Sequence, residues 1–562
     1  MLSDFNLIET YEVSFRQNFN LPALTDYDTS TPTLTYGMMA ERIARLHYLF
    51  GKLGIKDGDR IALAGKNSSE WATVFFATLT YGAIIVPILH EFSADDMTAI
   101  LNHSGAICFF VNDSIFKNLD MSKTADLKTV FSLDSHLEVL YAEPSEEKVK
   151  EYVVGSKHGL QSDMDGRKFN PQDISYQRYA SDTTAVINYT SGTSGFSKGV
   201  VLSHGNLGGN LSFGLDSKLH YQGSRCLSFL PLAHAYGCAF DLLVPLAAGT
   251  HVTFLGRTPS PRTLIKAFAQ VRPSLVLCVP LILEKIYKNL IIPAMNKLSI
   301  RAALKIPGVD RLIYRQIRQK LTKAFGGEFE QVIVGGAPMN SEVERFLQRI
   351  GFRFTVGYGM TECAPLISYT PWREYQLYSA GRILPGIMEV KILQDERRAE
   401  SGHVTGEIVV RGVNVMKGYY KRPDLTELAL TDDGWLHTGD MGYLGDDGKT
   451  IFIRGRYKTM ILGPSGQNIY PETIEDRLNA HPYILESVVV ERGGRLVGLV
   501  YPDADAMQSD GIATEDQENA LGETLRLINR TLAPFERLDR LETVKEPFEK
   551  TPKKSIKRFL YS

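Results

Sequence analysis

Hydrophobic positions in the first 111 residues alternate between the spacing of helices and that of buried strands. Residues 35–53 carry apolar side chains at helical spacing, which predicts an amphipathic helix, and residues 60–64 form a short apolar run, which predicts a buried strand. The alternation continues with helices predicted at 69–81 and 95–104 and strands predicted at 82–88 and 106–111. Such alternation is typical of a mainly parallel sheet with helices on both faces.

The pattern changes after residue 135. Residues 135–180 are polar and irregular, which predicts a linker or a surface insertion. The α/β pattern then resumes, with strands predicted at 225–230, 250–255 and 275–279, a buried helix at 239–246 and a helical insert at 281–326. From Gly386 onwards, short alternating segments separated by Gly and Asp turns predict a β-rich unit.

The chain is too long for one core, so we expect at least two domains and predict an α/β N-terminal domain followed by a small α+β C-terminal domain. The N-terminal domain covers 1–456, with α/β layers and a small β-barrel-like subdomain at about 386–456. The C-terminal domain covers 457–562, alternates helices with strands as an α+β unit, and includes a polar acidic loop predicted at 503–518.

The amino-acid composition favours a globular protein and gives no reason to expect a nucleic-acid-binding one. Hydrophobic residues are 44% and charged residues 22% of the chain, which is the globular range. The formal net charge of -2 gives no reason to expect a nucleic-acid partner. Five dispersed cysteines without zinc-ligand spacing suit a reducing compartment. With neither a signal peptide nor a membrane span expected, we predict a cytoplasmic protein, and peripheral contact at the inner membrane surface stays open.

The helical insert contains the element that bears on membrane contact. Residues 310–325 place Ile313, Ile317 and Leu321 on one face, with Arg311 and Arg315 on its flank. A basic amphipathic helix can lie on an anionic membrane, and an ordinary solvated helix can show the same pattern.

A hydroxyl- and glycine-rich loop at 189–199 is the strongest chemical signal. Backbone N–H groups next to glycine, side-chain hydroxyls and a lysine suit a polyphosphate ligand. The loop does not match the P-loop pattern, because Lys198 lies only three residues after Gly195 and Gly199 occupies the place of the magnesium-binding Ser or Thr. A P-loop kinase or ATPase is therefore excluded.

Four further stretches carry candidate chemistry. Residues 358–362 supply an aromatic ring, a hydroxyl and a carboxylate, which suit a base and a magnesium ion. Asp440 lies in a tight turn where a carboxylate can accept ribose hydroxyls. Within residues 453–458, Arg456 and Lys458 lie at the predicted domain junction, and residues 548–558 form a basic tail.

Together these motifs resemble the adenylate-forming superfamily of acyl-CoA synthetases, luciferases and peptide-synthetase adenylation domains, from about Thr35 to Arg558. The loop resembles the family's phosphate loop, with Ser197 where proline is usual. His234, in the stretch 230–237, matches a histidine near the acyl site, and residues 465–468 resemble a loop beside the pantetheine arm. The resemblance implies that the C-terminal domain is a mobile lid with its hinge at Lys458.

The same resemblance implies the site residues. Those implied to bind ATP or coenzyme A are Thr190, Ser191, Gly192, Thr193, Ser194, Gly195, Lys198, Gly336, Ala337, Tyr358, Gly359, Thr361, Asp440, Arg456, Lys458 and Gly466. Thr193 and Glu362 are the implied Mg²⁺ ligands, and both are implied to be catalytic together with His234.

The tail departs from the family pattern. Alignment on Thr551 and Pro552 places Ser555 where the family has a lysine that assists adenylation. Lys554 and Lys557 flank this position and are the candidate replacements.

The implied reaction has two steps, in which a carboxylic acid and ATP give an acyl-adenylate and coenzyme A then takes the acyl group. The helical insert resembles that of long-chain fatty acyl-CoA synthetases, so we expect a long-chain fatty acid as the substrate. A medium-chain or aryl acid stays open, and so does a non-catalytic relative that binds nucleotide or acyl ligands, given Ser555. The oligomeric state is not predicted.

Overall fold

The computed structural model of the protein describes residues 5–135, 137–143, 145–163, 167–190, 198–393, 404–462, 468–551 and 556–561. The predicted α/β fold class is confirmed, since strands and helices alternate from Pro22 to Val356 and pack around a shared core. No helix among these residues is both long enough and apolar enough to cross a membrane.

The largest sheet has eight strands. Its order is Gly418–Tyr419, Lys198–Ser203, Thr184–Thr190, Ile84–Ile88, Arg60–Ala64, Cys108–Val111, Thr129–Ser132 and Val139–Ala142. The inner strands run parallel, whereas the strands at both edges pair antiparallel with their neighbours. The sheet is therefore parallel only at its centre.

Smaller sheets continue the fold. Four strands pair in the order Arg225–Ser228, His251–Phe254, Pro22–Asp26 and Leu34–Thr35. Three parallel strands follow at Leu275–Cys278, Gln331–Val334 and Phe354–Val356, and three antiparallel ones at Tyr358–Gly359, Leu366–Tyr369 and Arg382–Ile383. The β-rich unit contains Met388–Leu393, Gly406–Gly412, Leu436–Leu444 and Ile451–Arg456.

Helices cover these sheets. Those before residue 250 are Leu7–Gln17, Tyr36–Leu53, Ser69–Tyr81, Ala94–Ser104, Asp113–Phe116, Glu146–Asp163, His204–Asp216 and the continuous run Ala235–Cys238, Ala239–Leu243 and Val244–Ala247. Those between residues 260 and 430 are Pro261–Val271, Pro280–Ile286, Tyr287–Ile291, Ile292–Met295, Leu298–Ala303, Val309–Ala324, Ser341–Arg349 and Pro423–Ala429.

The C-terminal region has its own buried residues. Its strands are Ile461–Leu462, Asn468–Ile469, Ile484–Arg492, Arg495–Pro502 and Arg540–Thr543, and its helices are Pro471–Ala480, Ala504–Ser509 and Gln517–Asn529. Ile474, Leu478 and Leu521 belong to a hydrophobic cluster separate from the one that holds Leu24 and Ile61. The boundary at 456/457 stays a prediction.

Two segments expected to be irregular contain helices. The segment 135–180 holds the helix Glu146–Asp163, which packs on Tyr36–Leu53 through few apolar side chains, such as Val149. The segment 503–518 holds Ala504–Ser509, whose Met507 is fully buried. Glu146–Asp163 is mostly polar and Ala504–Ser509 is only six residues long, so neither shows a clear apolar periodicity in the sequence.

Candidate functional site

The candidate site lies where two neighbouring parallel strands end. Val334 pairs with Val356, so the turns that follow these two strands start side by side. In open α/β sheets, ligands bind at this carboxyl end of the strands. The predicted nucleotide residues Gly336, Tyr358 and Gly359 therefore come together here, and Ala337 follows exposed in the first turn.

A cavity of about 470 Å³, partly open to solvent, lies beside these turns. Its lining is mostly apolar or aromatic and comprises Leu219, Tyr236, Phe240, Leu277, Ile333, Gly335, Gly336, Gly357, Tyr358, Gly359, Pro365, Leu366 and Tyr369. Gly359 has to be glycine, because a Cβ atom there would lie 2.2 Å from the carbonyl oxygen of Pro365. An apolar and aromatic lining with a few polar groups at its edge is typical of small-molecule sites.

Asp440 links the cavity wall to the β-rich unit. Its Oδ2 accepts a hydrogen bond of 2.6 Å from the hydroxyl of Tyr358, and its Oδ1 lies 3.2 Å from Nε of Arg456, its partner across the strand pair. Burial raises the pKa of Asp440, and the Arg456 charge opposes that rise. Burial and then the Asp440 charge raise the pKa of Tyr358, so its hydroxyl stays protonated and donates. Each carboxylate oxygen keeps a lone pair for a further donor such as a ribose hydroxyl.

Glu362 and Lys198 form a second polar group. Glu362 follows Thr361 in a short 3₁₀ turn, and its Oε1 accepts a hydrogen bond of 2.9 Å from the hydroxyl of Tyr419. Nζ of Lys198 lies 4.8 Å from the centroid of the same tyrosine ring. The structure thus brings the predicted metal ligand and the predicted phosphate-binding lysine to one side chain.

Several positive charges converge on Lys198. Burial lowers its pKa, and the nearby charges of Lys458 and Arg422 lower it further, whereas Glu362 raises it. Lys458 lies exposed in the 3₁₀ turn Tyr457–Thr459, directly after Arg456. A cluster of this kind favours a polyanionic ligand, because each added negative charge relieves the repulsion among the cations.

The segment that contains His234 is tied to the strand before the glycine-rich loop. Nδ2 of Asn188, in the strand Thr184–Thr190, donates to the carbonyl of Ala233 over 3.1 Å. His234 is partly exposed at the start of Ala235–Cys238, and Tyr236 in this helix lines the cavity. The predicted acyl segment therefore borders the cavity and contacts the strand that ends at Thr190.

Some predicted residues are placed elsewhere or lie outside the described ranges. Lys557 pairs with Glu549 in its own tail segment, where Nζ and Oε1 are 2.5 Å apart. Ser191, Gly192, Thr193, Ser194, Gly195, Gly466 and Lys554 lie outside the residues that the structure describes. Their roles stay predictions.

Tyr419 and Arg422 are site residues that the sequence reasoning missed. They belong to the stretch Gly418-Tyr-Tyr-Lys-Arg-Pro423, whose paired aromatic and basic residues after a glycine are the signal that could have found them. Tyr419 pairs across the strands with Val200, which places it opposite the start of Lys198–Ser203.

The site suits magnesium held mainly by a substrate. Among the described residues there is no group of three or more His, Cys, Asp or Glu side chains that could hold a metal. Mg²⁺ commonly uses one or two carboxylates, waters and substrate phosphates. Glu362 beside Lys198 supplies one carboxylate next to a predicted phosphate site, which fits that donor set.

Comparison with known proteins gives a family match. The sequence model of the family described as "AMP-binding enzyme" matches residues 11–420. The long-chain-fatty-acid–CoA ligase FadD15 of Mycobacterium tuberculosis is 29% identical over 485 residues, which cover 81% of this chain and 75% of that protein. The putative acyl-CoA synthetase YngI of Bacillus subtilis is 29% identical over 460 residues, covering 78% and 76%.

Solved structures share the fold. The anthranilate CoA ligase AuaEII in complex with anthranoyl-AMP superposes with a TM-score of 0.78 at 16% identity, covering 100% of this chain and 98% of that one. MatB from Rhodopseudomonas palustris with bound ATP gives 0.74 at 21% identity, covering 99% and 98%. Identities this low support the shared fold alone.

Proposed function

Because the chain belongs to the AMP-binding enzyme family, we propose that it is an ATP-dependent ligase that joins a long-chain fatty acid to coenzyme A through an acyl-adenylate. The observation that carries the proposal is that Tyr358 belongs both to the polar part of the site and to the wall of the apolar cavity. Its hydroxyl bonds Asp440 in the polar part of the site, and the residue also lines the apolar cavity. One site thus offers polar groups for a nucleotide next to an apolar space for an acyl chain.

In the first step an oxygen of the fatty-acid carboxylate attacks the α-phosphorus of ATP, the bond to the β-phosphate oxygen breaks and pyrophosphate leaves. Lys198, Lys458 and Arg422 stabilise the charge that builds up on the phosphates. Magnesium, held by Glu362 and by Thr193 together with the phosphates, would supply further neutralisation of that charge. Asp440 and Tyr358 orient the nucleoside.

In the second step the sulfur of coenzyme A attacks the acyl carbonyl carbon, the thiol gives up its proton and AMP leaves. The family resemblance assigns the approach of the pantetheine arm to Gly466 and its loop. Residues 457–562 act as a mobile domain that turns about Lys458 between the steps. The turn Tyr457–Thr459 lies where such a hinge is needed, directly after the last strand of the β-rich unit.

The long-chain assignment is supported by the name of the FadD15 relative and by the apolar cavity lining. A second candidate is an aryl or medium-chain acid, because the rings of Tyr236, Phe240, Tyr358 and Tyr369 would also suit a planar substrate. These candidates differ in which acid gives the highest kcat/KM.

The test is direct incubation of the protein with ATP, Mg²⁺, coenzyme A and palmitate, octanoate or benzoate, with acyl-CoA and AMP measured by mass spectrometry. We expect palmitoyl-CoA to form with the highest kcat/KM. A preference for benzoate or octanoate would replace the long-chain assignment. Absence of ATP–pyrophosphate exchange with every acid would overturn the enzyme assignment in favour of a non-catalytic relative.

We also propose that the protein takes its fatty acid from an anionic membrane surface, through the helical insert. Residues 297–323 contain eight Lys or Arg and one acid, Asp310, in a chain whose formal net charge is -2. The structure pairs none of these eight with a described acidic side chain. Leu298, Ile306 and Leu312 are 84%, 54% and 60% exposed beside them. Exposed leucine and isoleucine side chains among cations without a described acidic partner suit the boundary between lipid headgroups and acyl chains.

Vesicle sedimentation tests this surface. We expect the protein to sediment with phosphatidylglycerol vesicles, to stay free with phosphatidylcholine and to dissociate at high salt. Replacing Arg311 and Arg315 by Glu should weaken binding at least about tenfold, since each cation contributes roughly 1 kcal/mol. The matched control replaces Lys52 and Lys56, exposed elsewhere, by Glu. An equal loss of vesicle binding in the Arg311/Arg315 variant and in the Lys52/Lys56 control would show that the helical insert is not a specific membrane-binding surface.

A further inference from the structure

The segment 416–420 connects the two members of the second polar group, Glu362 and Lys198. The backbone N–H of Met416 donates to the carbonyl of Glu362 over 2.8 Å, and the backbone N–H of Tyr420 donates to the carbonyl of Gly199 over 2.7 Å. The segment therefore lies between the turn that carries Glu362 and the strand that begins at Lys198.

The side chain of Tyr419 makes the same connection. Its hydroxyl donates to Oε1 of Glu362 over 2.9 Å, while its ring faces the ammonium of Lys198 at 4.8 Å from the centroid. A carboxylate oxygen has no proton to give, so the tyrosine hydroxyl is the donor in this bond.

Local structure fixes the tyrosine. Its backbone N–H donates to the hydroxyl of Thr426 over 2.9 Å. The preceding Gly418 has a φ of +141°, and a Cβ atom there would lie 2.7 Å from Cγ2 of Thr426. Thr426 therefore packs tightly behind Tyr419, and the strand pairing with Val200 holds it from the other side.

We propose that Tyr419 is a positioning residue for adenylation: its hydroxyl orients the Glu362 carboxylate toward the magnesium of MgATP, and its ring holds the Lys198 ammonium for the phosphates. The inference rests on the proposed function. The hydroxyl uses one lone pair of Oε1, which orients the carboxylate and leaves the remaining lone pairs of Oε1 and Oε2 for the metal. A hydrogen bond to an ionised acceptor and a cation–π contact are both strong enough to set side-chain orientation.

Two substitutions separate these contacts. Tyr419→Phe keeps the ring and removes the hydroxyl, whereas Tyr419→Leu removes both. The measurement is calorimetric binding of ATP with and without Mg²⁺, which needs neither the acid nor coenzyme A. We expect Tyr419→Phe to weaken MgATP binding about tenfold and to leave binding of Mg²⁺-free ATP unchanged. Tyr419→Leu should also weaken Mg²⁺-free ATP by about two- to fivefold, because Lys198 loses its ring.

Tyr420→Phe is the matched control, since this neighbouring ring contacts His103 and Lys421 instead, and it should bind both forms of ATP like the wild type. Wild-type MgATP binding by Tyr419→Phe, or equal weakening with and without Mg²⁺, would overturn the proposal. Failure of the proposed function shows in the wild type, which would then activate no acid. Failure of this inference shows only when ATP binding by Tyr419→Phe and by the wild type is compared with and without Mg²⁺.

Discussion

Asp476 accepts two hydrogen bonds from Ser341, one of 2.8 Å from the hydroxyl and one of 3.2 Å from the backbone N–H, both at its Oδ2. Ser341 begins the helix Ser341–Arg349, and Asp476 lies in Pro471–Ala480, so the contact crosses from the large region to the C-terminal region. A carboxylate at a helix N-terminus is favoured by the unpaired N–H groups there. The proposed domain swing would have to break this contact.

Loss of the Ser341 hydroxyl should therefore loosen the C-terminal region. We expect Ser341→Ala to cost about 1 kcal/mol of docking, which is about a fivefold rise in the undocked population. Limited proteolysis in the turn Tyr457–Thr459 should accelerate by that factor. Ser299→Ala, in the helical insert, is the control, and an unchanged cleavage rate for Ser341→Ala would show that the contact does not hold the domains together.

Glu284 makes this junction sensitive to pH. Its Oε1 accepts the backbone N–H of Asn340 over 3.0 Å, and burial, with a smaller effect of Asp476, raises its pKa from 4.5 to about 7. Between these pH values the folded protein keeps a proton that the unfolded chain releases, so this group lowers stability as pH rises toward 7. Below pH 4.5 the group is neutral in both states and has no effect.

Glu284→Gln removes that titration and keeps an acceptor for Asn340. We expect its free energy of unfolding at pH 8 to exceed that of the wild type by about 3 kcal/mol, with the gain disappearing near pH 4.5. Urea unfolding at both pH values measures this, with the exposed Glu427→Gln as control. A gain of equal size at both pH values would assign the effect to packing.

Sequence patterns predicted the elements whose ends are marked by capping residues. Helix Ser69–Tyr81 was predicted with its observed bounds, because Ser68 caps its start and Gly82, in the left-handed conformation, ends it. The polar helix Glu146–Asp163 was not, because too few apolar positions mark its buried face. Periodicity reports burial, and a mostly solvated helix shows little of it.

For the candidate site too, local motifs predicted individual residues, whereas the contacts between them depend on long-range packing. The family resemblance predicted Tyr358, Asp440 and Lys198 as site residues one at a time, from local motifs. The bond between Tyr358 and Asp440 joins residues 82 positions apart and depends on how the sheets pack. The aromatic and basic residues of 418–423 are a weak local signal, and they do not show what Tyr419 contacts, because its position opposite Val200 comes from a long-range strand pairing.

The carboxylate of Asp440 is expected to recognise the ribose. Asp440→Asn should lower kcat/KM for ATP about a hundredfold, because it loses a charged acceptor in a buried position. The sharper measurement compares ATP with 2′-deoxy-ATP and 3′-deoxy-ATP. The wild type should prefer ATP, and Asp440→Asn should treat the nucleotides almost alike. An unchanged preference in the variant would place ribose recognition elsewhere.

The last prediction concerns which tail lysine assists adenylation, since Ser555 occupies the position where the family has a lysine. Lys557 is held by Glu549, and the backbone N–H of Lys557 also donates to the carbonyl of Glu549 over 2.8 Å, so it is anchored within the tail. We therefore expect Lys554 to be the adenylation lysine. Lys554→Ala should slow acyl-adenylate formation about a hundredfold, the order of one lost charge-stabilising group, while transfer from added acyl-AMP to coenzyme A continues at the wild-type rate. Lys557→Ala should change neither step by more than about twofold. Equal small effects of both variants on acyl-adenylate formation would show that neither lysine takes the place of the missing one, and a large effect of Lys557→Ala alone would mean that the Glu549 pair opens during adenylation.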